Sequence, residues 1–384
     1  MPTPSPHFDA SSTDMPKFKV SIGVRRSRQI DRDLAEQLRT IRTAASKHAA
    51  VLATFLPGMG ASEPVVNWPG QCRLFDPDVL NARKAAARRA DEKLVVYELE
   101  KAASLGVLRE LARAPTSGDM HALRIDFPHF SQVLDLMLQR SALAAVSPGG
   151  AFSMPPVLLS GPPGVGKTAF SESLAACLKV PLRRIDVASS TASFTLAGSH
   201  PTWSSARPGM VWHLLQNSSA AGLLLLDEVD KAPHSSYPVL GPLYSLLERI
   251  SARHFVDEYI EVPVDASHLT WIATCNKPEL LDPALRSRFV EFEIPMPNAA
   301  QMVAIARSVY RRLRAEAPWA AVFDAELSEE VTAALTAATP REMLRVLEEA
   351  HARAATDRRC RLKPQDVVIH RASGPSGPRR IGFV

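Results

Sequence analysis

Cysteine is scarce: the chain has four (Cys72, Cys177, Cys275, Cys360) in 384 residues, with no Cys-x-x-Cys pair and no Cys/His cluster. That argues against a disulfide framework and a structural zinc site, and it fits a reducing cytoplasm. Cys177 and Cys275 fall in apolar runs and are expected to be core residues. The opening MPTPSPHFDASSTD lacks a basic-then-apolar leader. No apolar run approaches the ~20 residues a membrane helix needs. A Ser/His/Asp or Cys/His arrangement that would mark a nucleophilic enzyme is also missing. The net charge of +5 raises a nucleic-acid reading. Its arginines, however, alternate with acids along helical stretches, as in DRDLAEQLRTIR (31–42), and the cluster Arg83, Lys84, Arg88, Arg89 has no interleaved aromatics for base stacking. Nucleic acid is the least favoured partner.

Residues 161–168 read GPPGVGKT. Gly161, Gly164 and Gly166 let the backbone curl past Pro162 and Pro163, which have no N–H of their own, so that the successive N–H groups from Gly164 and Val165 to Ala169 surround an anion. Lys167 then reaches the β- and γ-phosphates of a nucleotide, and Thr168 offers its hydroxyl to Mg²⁺. The run PVLLS (156–160) leads in as a buried strand, and 169–178 leads out as a helix whose N-terminus favours the anion. At 223–231, LLLLDEVDK supplies a second buried strand that ends in Asp227 and Glu228. Asp227 is expected to hold Mg²⁺ and Glu228 to polarise the attacking water, since phosphoryl transfer rests on positioning and charge stabilisation. The two motifs together predict an ATPase with ATP and Mg²⁺ as cofactors.

The organisation follows from composition and periodicity. Residues 1–17 are rich in Pro, Ser and Thr and read as a disordered tail. A helical N-terminal region over 18–114 is expected, with helices near 29–55 and 77–114 separated by the Gly/Pro-rich loop 56–70. Beyond the linker APTSGDM (114–120), strands at 156–160, 182–187, 222–227, 270–275 and 289–294 alternate with helices, which predicts a three-layer α/β core with a parallel sheet over 120–296. A small helical lid follows over 297–370, and then a C-terminal tail, 371–384.

This layout resembles that of the AAA+ ATPases, and further motifs carry the likeness. In WIATCNK (271–277) a strand ends in Asn276, which resembles the family's first sensor. LDPALRSRFVEF (281–292) resembles the segment with the arginine finger, for which Arg288 is the better candidate and Arg286 the second. TPREML (339–344) resembles the second sensor, with Pro340 in a first helical turn and Arg341 able to fold back on the phosphates; Arg345 is the weaker alternative. The likeness implies a ring, a hexamer, in which the finger acts on the neighbouring subunit.

Within that family the ATPase module of the Lon proteases is most similar. FVDEYIEVPVDAS (255–267) and GSHPTWSSARPG (198–209) resemble Lon segments, and FPHF (127–130) places His129 and Phe130 where Lon modules have a His–aromatic pair near the adenine. The resemblance covers roughly 125–370. It implies that Trp203 stands where a pore-loop tyrosine is usual, although Ser204 follows it in place of an aliphatic residue. No Ser–Lys peptidase follows the lid; only RASGPSGPRRIGFV comes after His370. The expectation is therefore an ATP-driven motor that remodels a protein substrate and does not itself cut peptides. The alternatives are a MoxR-like chaperone or assembly switch that does not thread, or a nucleic-acid-linked ATPase.

Overall fold

The computed structural model describes residues 70–189, 193–201, 203, 205–232 and 239–370, all within the unit Asn67–Val384. The two tails, the helix expected near 29–55 and nearly all of the loop 56–70 lie outside them. In chain order the strands are β1 (Gln71–Arg73), β2 (Leu108–Glu110), β3 (Val157–Ser160), β4 (Leu182–Asp186), β5 (Leu223–Asp227), β6 (Phe255–Val256), β7 (Pro263–Val264), β8 (Thr270–Cys275) and β9 (Val290–Glu293). The order β4-β5-β8-β3-β9 forms a five-stranded, wholly parallel sheet. The five strands expected from apolar runs are these five, each within a residue at either end.

Parallel strands need both faces covered, and the alternation along them fills two cores. Leu158, Leu224, Leu226, Ala273 and Cys275 face one core, together with Trp212. Val157, Leu159, Leu223, Leu225 and Ile272 face the other, with Phe130, Phe170 and Leu174 from covering helices. The sheet is thus the middle of three layers.

The stretch expected to be one helix over 77–114 is broken twice. Helices Pro77–Arg89 and Lys93–Ser104 are separated at Asp91 (φ 55°), and Gly106 (φ 84°) turns the chain into β2, which pairs antiparallel with β1. Arg109, with no exposed surface, donates to the carbonyls of Ala102 and Leu105 and so caps the second helix with positive charge at its C-terminus. These elements do not stand apart from the parallel sheet. Leu74, Phe75, Leu80, Val95 and Leu99 belong to the same apolar cluster as Trp212 and Leu226, and the Trp212 indole N–H donates to the buried Glu98 carboxylate at 3.1 Å. The boundary expected at 114–120 falls inside one shared core.

The lid has its own apolar core, built from helices Ala299–Glu316, Glu329–Leu335 and Pro340–Thr356. Capping boxes fix the starts of the first and last of these: Asn298 with Gln301, and Thr339 with Glu342. Arg311 reaches back to Asp126 at 3.0 Å, tying the lid to helix Ser117–Asp126. No helix among the described residues is long and apolar enough to cross a membrane.

Candidate active site

A cavity of about 340 Å³ opens at the C-terminal ends of β3, β5 and β8, where open parallel sheets bind ligands. The turn after β3 forms its floor. Gly161, Gly164 and Gly166 all have φ in the left-handed range, and a Cβ at Gly161 would lie 2.4 Å from the Ile294 carbonyl oxygen. Only glycine fits there. Helix Lys167–Leu178 starts on this turn, with its first N–H groups facing the cavity floor.

The Lys167 ammonium donates to the carbonyls of Gly161 (2.7 Å) and Pro162 (3.0 Å) and to Oδ1 of Asn276 (3.0 Å). Gly161 and Pro162 act through these carbonyls, while Pro163 to Ala169 line the cavity. An ammonium cannot accept, so the Asn276 amide oxygen faces Lys167 and its two N–H donors are turned away from it. Burial holds the Lys167 pKa below the usual lysine value, which is the cost of placing a lone cation under the cavity.

Asp227, only 5% exposed, is the hub. The Thr168 hydroxyl lies 3.2 and 3.3 Å from its two oxygens, the Thr274 hydroxyl donates to Oδ1, and Arg184 Nη2 is 2.6 Å from Oδ2. A hydroxyl beside a carboxylate is a hard oxygen pair that suits Mg²⁺ completed by phosphate oxygens and water. With the glycine floor and Lys167, the donor set fits ATP with Mg²⁺. Glu228 sits in the left-handed region (φ 58°), its N–H donates to the Thr274 hydroxyl at 3.0 Å, and its carboxylate meets Lys231 at 2.8 Å.

Of the two residues expected near the adenine, His129 lines the cavity and Phe130 does not. His129 is buried, lines the cavity and bonds the Val165 carbonyl at 2.8 Å through Nε2. A carbonyl only accepts, so Nε2 carries the proton, and burial lowers the ring's pKa and keeps it neutral. Phe130 does not reach the cavity. It is fully buried and stacks on Phe170, with centroids 4.2 Å apart, because the turn Pro128–Phe130 points it into the core; Phe127 lines the cavity in its place.

The lid closes the far side through Ile305, Val309, Arg312 and Arg341. Arg341 lies against the phosphate loop, since a Cβ at Gly164 would be 3.7 Å from Arg341 Cβ. Arg345 pairs with Glu349 at 2.9 Å and does not line the cavity. Neither finger candidate lines this chain's own cavity. Arg286 is bound to Glu291 at 2.7 Å, whereas Arg288 donates to the carbonyls of Tyr244 (3.1 Å) and Ala284 (2.7 Å) and lies over the Tyr244 ring.

Trp203 is 43% exposed and meets Phe194 edge-to-face at 5.6 Å. Both stems of its loop rest on one buried side chain: Asp257 accepts from Gly209 N–H (2.8 Å) and packs against Gly198, while also accepting from the N–H groups of Tyr259 and Ile260. Burial pushes the Asp257 carboxyl up to about 6 despite these three donors.

The sequence reading missed Phe127, Arg184, Thr274 and the lid face. For Thr274 a signal existed: it lies two residues before Asn276, hence on the same face of the strand. Arg184 had none, because its partner is on the neighbouring strand.

Residues 157–296 match the family described as "ATPase family associated with various cellular activities (AAA)". This stretch is thus similar to an AAA domain. It resembles the corresponding region of Lon proteases: 31% identity over 202 residues to Lon protease 4 of Sorangium cellulosum, covering 51% of this chain and 25% of that protein, and 34% over 164 residues to the peroxisomal Lon protease homolog 2 of Pichia angusta, covering 42% and 17%. The match thus spans a quarter or less of these relatives. A mutant RuvB from Thermotoga maritima superposes with a TM-score of 0.43 at 17% identity, over 62% of this chain and 67% of that one.

Proposed function

We propose that the protein hydrolyses ATP to ADP and phosphate and uses the cycle, as a homo-oligomeric ring, to remodel or unfold a protein substrate in the cytoplasm. The observation that carries the reading is the convergence of Lys167, Thr168, Asp227, Glu228, Asn276 and Arg341 on one cavity. Lys167 and the N–H groups of the phosphate loop bind the β- and γ-phosphates. Thr168 and Asp227 would hold Mg²⁺, which would supply positive charge to offset that developing on the phosphate oxygens. Glu228 takes the proton of the attacking water, Asn276 donates to the γ-phosphate or that water, and Arg341 reports on the phosphates from the lid. Arg288 acts on the neighbouring subunit's site; its guanidinium hangs on carbonyls, whereas that of Arg286 is neutralised by Glu291.

Trp203, half exposed on a loop clamped at both stems, suits a grip on peptide side chains without sequence preference. Its edge contact with Phe194 favours a second reading, a MoxR-like switch in which the loop serves a fixed partner and nothing is threaded. The Trp203→Ala variant tests the motor reading against simple packing of Trp203. Motor function predicts unchanged basal hydrolysis with loss of hydrolysis stimulated by an unfolded protein. A lower melting temperature with a proportional fall in basal activity would assign Trp203 to packing.

A further inference from the structure

The strands that deliver Glu228 and Asn276 stop pairing before either residue is reached. The ladder between β5 and β8 ends at Leu226 opposite Ala273. Beyond it the β5 chain turns away through Glu228, in the left-handed region, into the short turn Val229–Lys231. The β8 chain leaves the sheet at Asn276 with two N–H groups, its own and that of Lys277, that no strand can satisfy. Both are taken by one carboxylate: Asp230 Oδ2 accepts from Asn276 at 3.1 Å and from Lys277 at 3.0 Å. On the other side the Thr274 hydroxyl accepts from the Glu228 N–H and donates to Asp227. Two side chains thus continue, by cross-links, a ladder that the backbone has abandoned.

We propose that Asp230 is a positioning residue for the hydrolysis reaction, holding the Asn276 backbone at a fixed spacing from Glu228, two residues away on its own segment. The inference rests on the ATPase reading above. Its physical content is that, among the described residues, the Asn276 side chain has a single anchor of its own, the Lys167 ammonium. That ammonium must also serve the phosphates, so the backbone grip is what keeps the amide's N–H donors aimed when Lys167 is engaged. A second observation argues against a purely stabilising role. Asp230 Oδ1 is buried and, among the described residues, accepts no hydrogen bond. A half-satisfied buried carboxylate is a poor way to gain stability, because the unpaired atom keeps its desolvation cost. An asparagine at this position retains an acceptor for the two N–H groups without that charge.

The test compares wild type, Asp230→Ala, Asp230→Asn, Asn276→Ala and the Asp230→Ala/Asn276→Ala double variant. The readouts are ATP turnover, binding of a fluorescent ATP analogue, and amide exchange of the peptide spanning 270–280. We expect Asp230→Ala to lower kcat by about 10- to 100-fold while analogue binding moves by less than about threefold, and Asp230→Asn to recover most of the loss. In the Asn276→Ala background the second substitution should change kcat by less than about twofold, since its effect passes through Asn276. Faster exchange at 276–277 in Asp230→Ala, with β5 unchanged, is the structural counterpart. Additive kcat losses, or unaltered exchange at 276–277, overturn the proposal. A wild type that hydrolyses no ATP overturns the functional reading instead, and the exchange measurement then still decides whether Asp230 holds Asn276.

Discussion

At the scale of single residues, two acids at the cavity are already engaged by neighbouring cations, Asp227 by Arg184 and Glu228 by Lys231. Different chemistry follows for each. Glu228→Gln preserves shape but removes the base, so ATP should remain bound while hydrolysis slows by about 10²-fold or more. Lys167→Ala should abolish binding, and near-normal turnover of purified Glu228→Gln would remove Glu228 from the mechanism. With Mg²⁺ on Asp227 as proposed, Arg184 would compete with it for one carboxylate oxygen. Its guanidinium is half exposed, so the effect is screened: Arg184→Gln should lower the Mg²⁺ concentration for half-maximal ATP-analogue binding by about two- to fivefold. An unchanged or raised Mg²⁺ requirement would show that Arg184 assists the metal.

At the scale of elements, both stems of the segment bearing Trp203 meet Asp257, Gly209 through a hydrogen bond and Gly198 through close packing. Gly198 (φ 80°) has no room for a side chain, since a Cβ would lie 2.4 Å from Asp257 Oδ1; Gly106 has a similar φ (84°) with nothing within 4 Å. The pair forms a control. Gly106→Ala should cost only the left-handed backbone, about 1–2 kcal/mol, and Gly198→Ala on the order of 2–4 kcal/mol, both read from urea unfolding. Equal costs would mean that Asp257 yields and does not pin the loop. The two cases also show what the sequence made legible. Strands β3, β5 and β8 could be read because a central parallel strand is apolar on both faces, and the phosphate loop because its glycines have a local backbone reason. Phe130 and Phe127 were not distinguishable, since which ring meets the cavity depends on one turn at Pro128. Helix 77–114 was overextended because Arg109, polar in sequence, spends its charge on carbonyls of the preceding helix and so accompanies a strand.

At the scale of the whole molecule, pH acts in two opposed ways. His129 and His351 are buried with pKa values below the free value, chiefly by desolvation; His351 sits among Tyr310, Trp319 and Phe323 in the lid. The unfolded chain takes up these protons near 6.5, so the stability they confer is complete above that pH and declines as pH falls through and below it. Asp257 has the opposite sign. Its folded pKa of about 6 exceeds the unfolded 3.8, so it favours folding as pH drops across that interval. His213 is shifted the same way, again chiefly by desolvation, and three histidines against one carboxyl predict a net loss from pH 7 to 5.5, measurable as a falling melting temperature. Replacing His351 with Phe should reduce the slope, and replacing Asp257 with Asn should steepen it.

The core shared between residues 71–112 and the sheet bears on how the gene can be divided. A fragment that began at Thr116 would keep every residue of the nucleotide cavity yet lose Leu74, Phe75, Leu80, Val95 and Leu99. The cluster that holds Trp212, Leu224 and Leu226 would then lose part of its cover, and the apolar surface so exposed would favour self-association. Swapping ATPase modules between relatives therefore calls for a junction ahead of β1, since a cut at the start of the matched family segment passes through the middle of a single hydrophobic body.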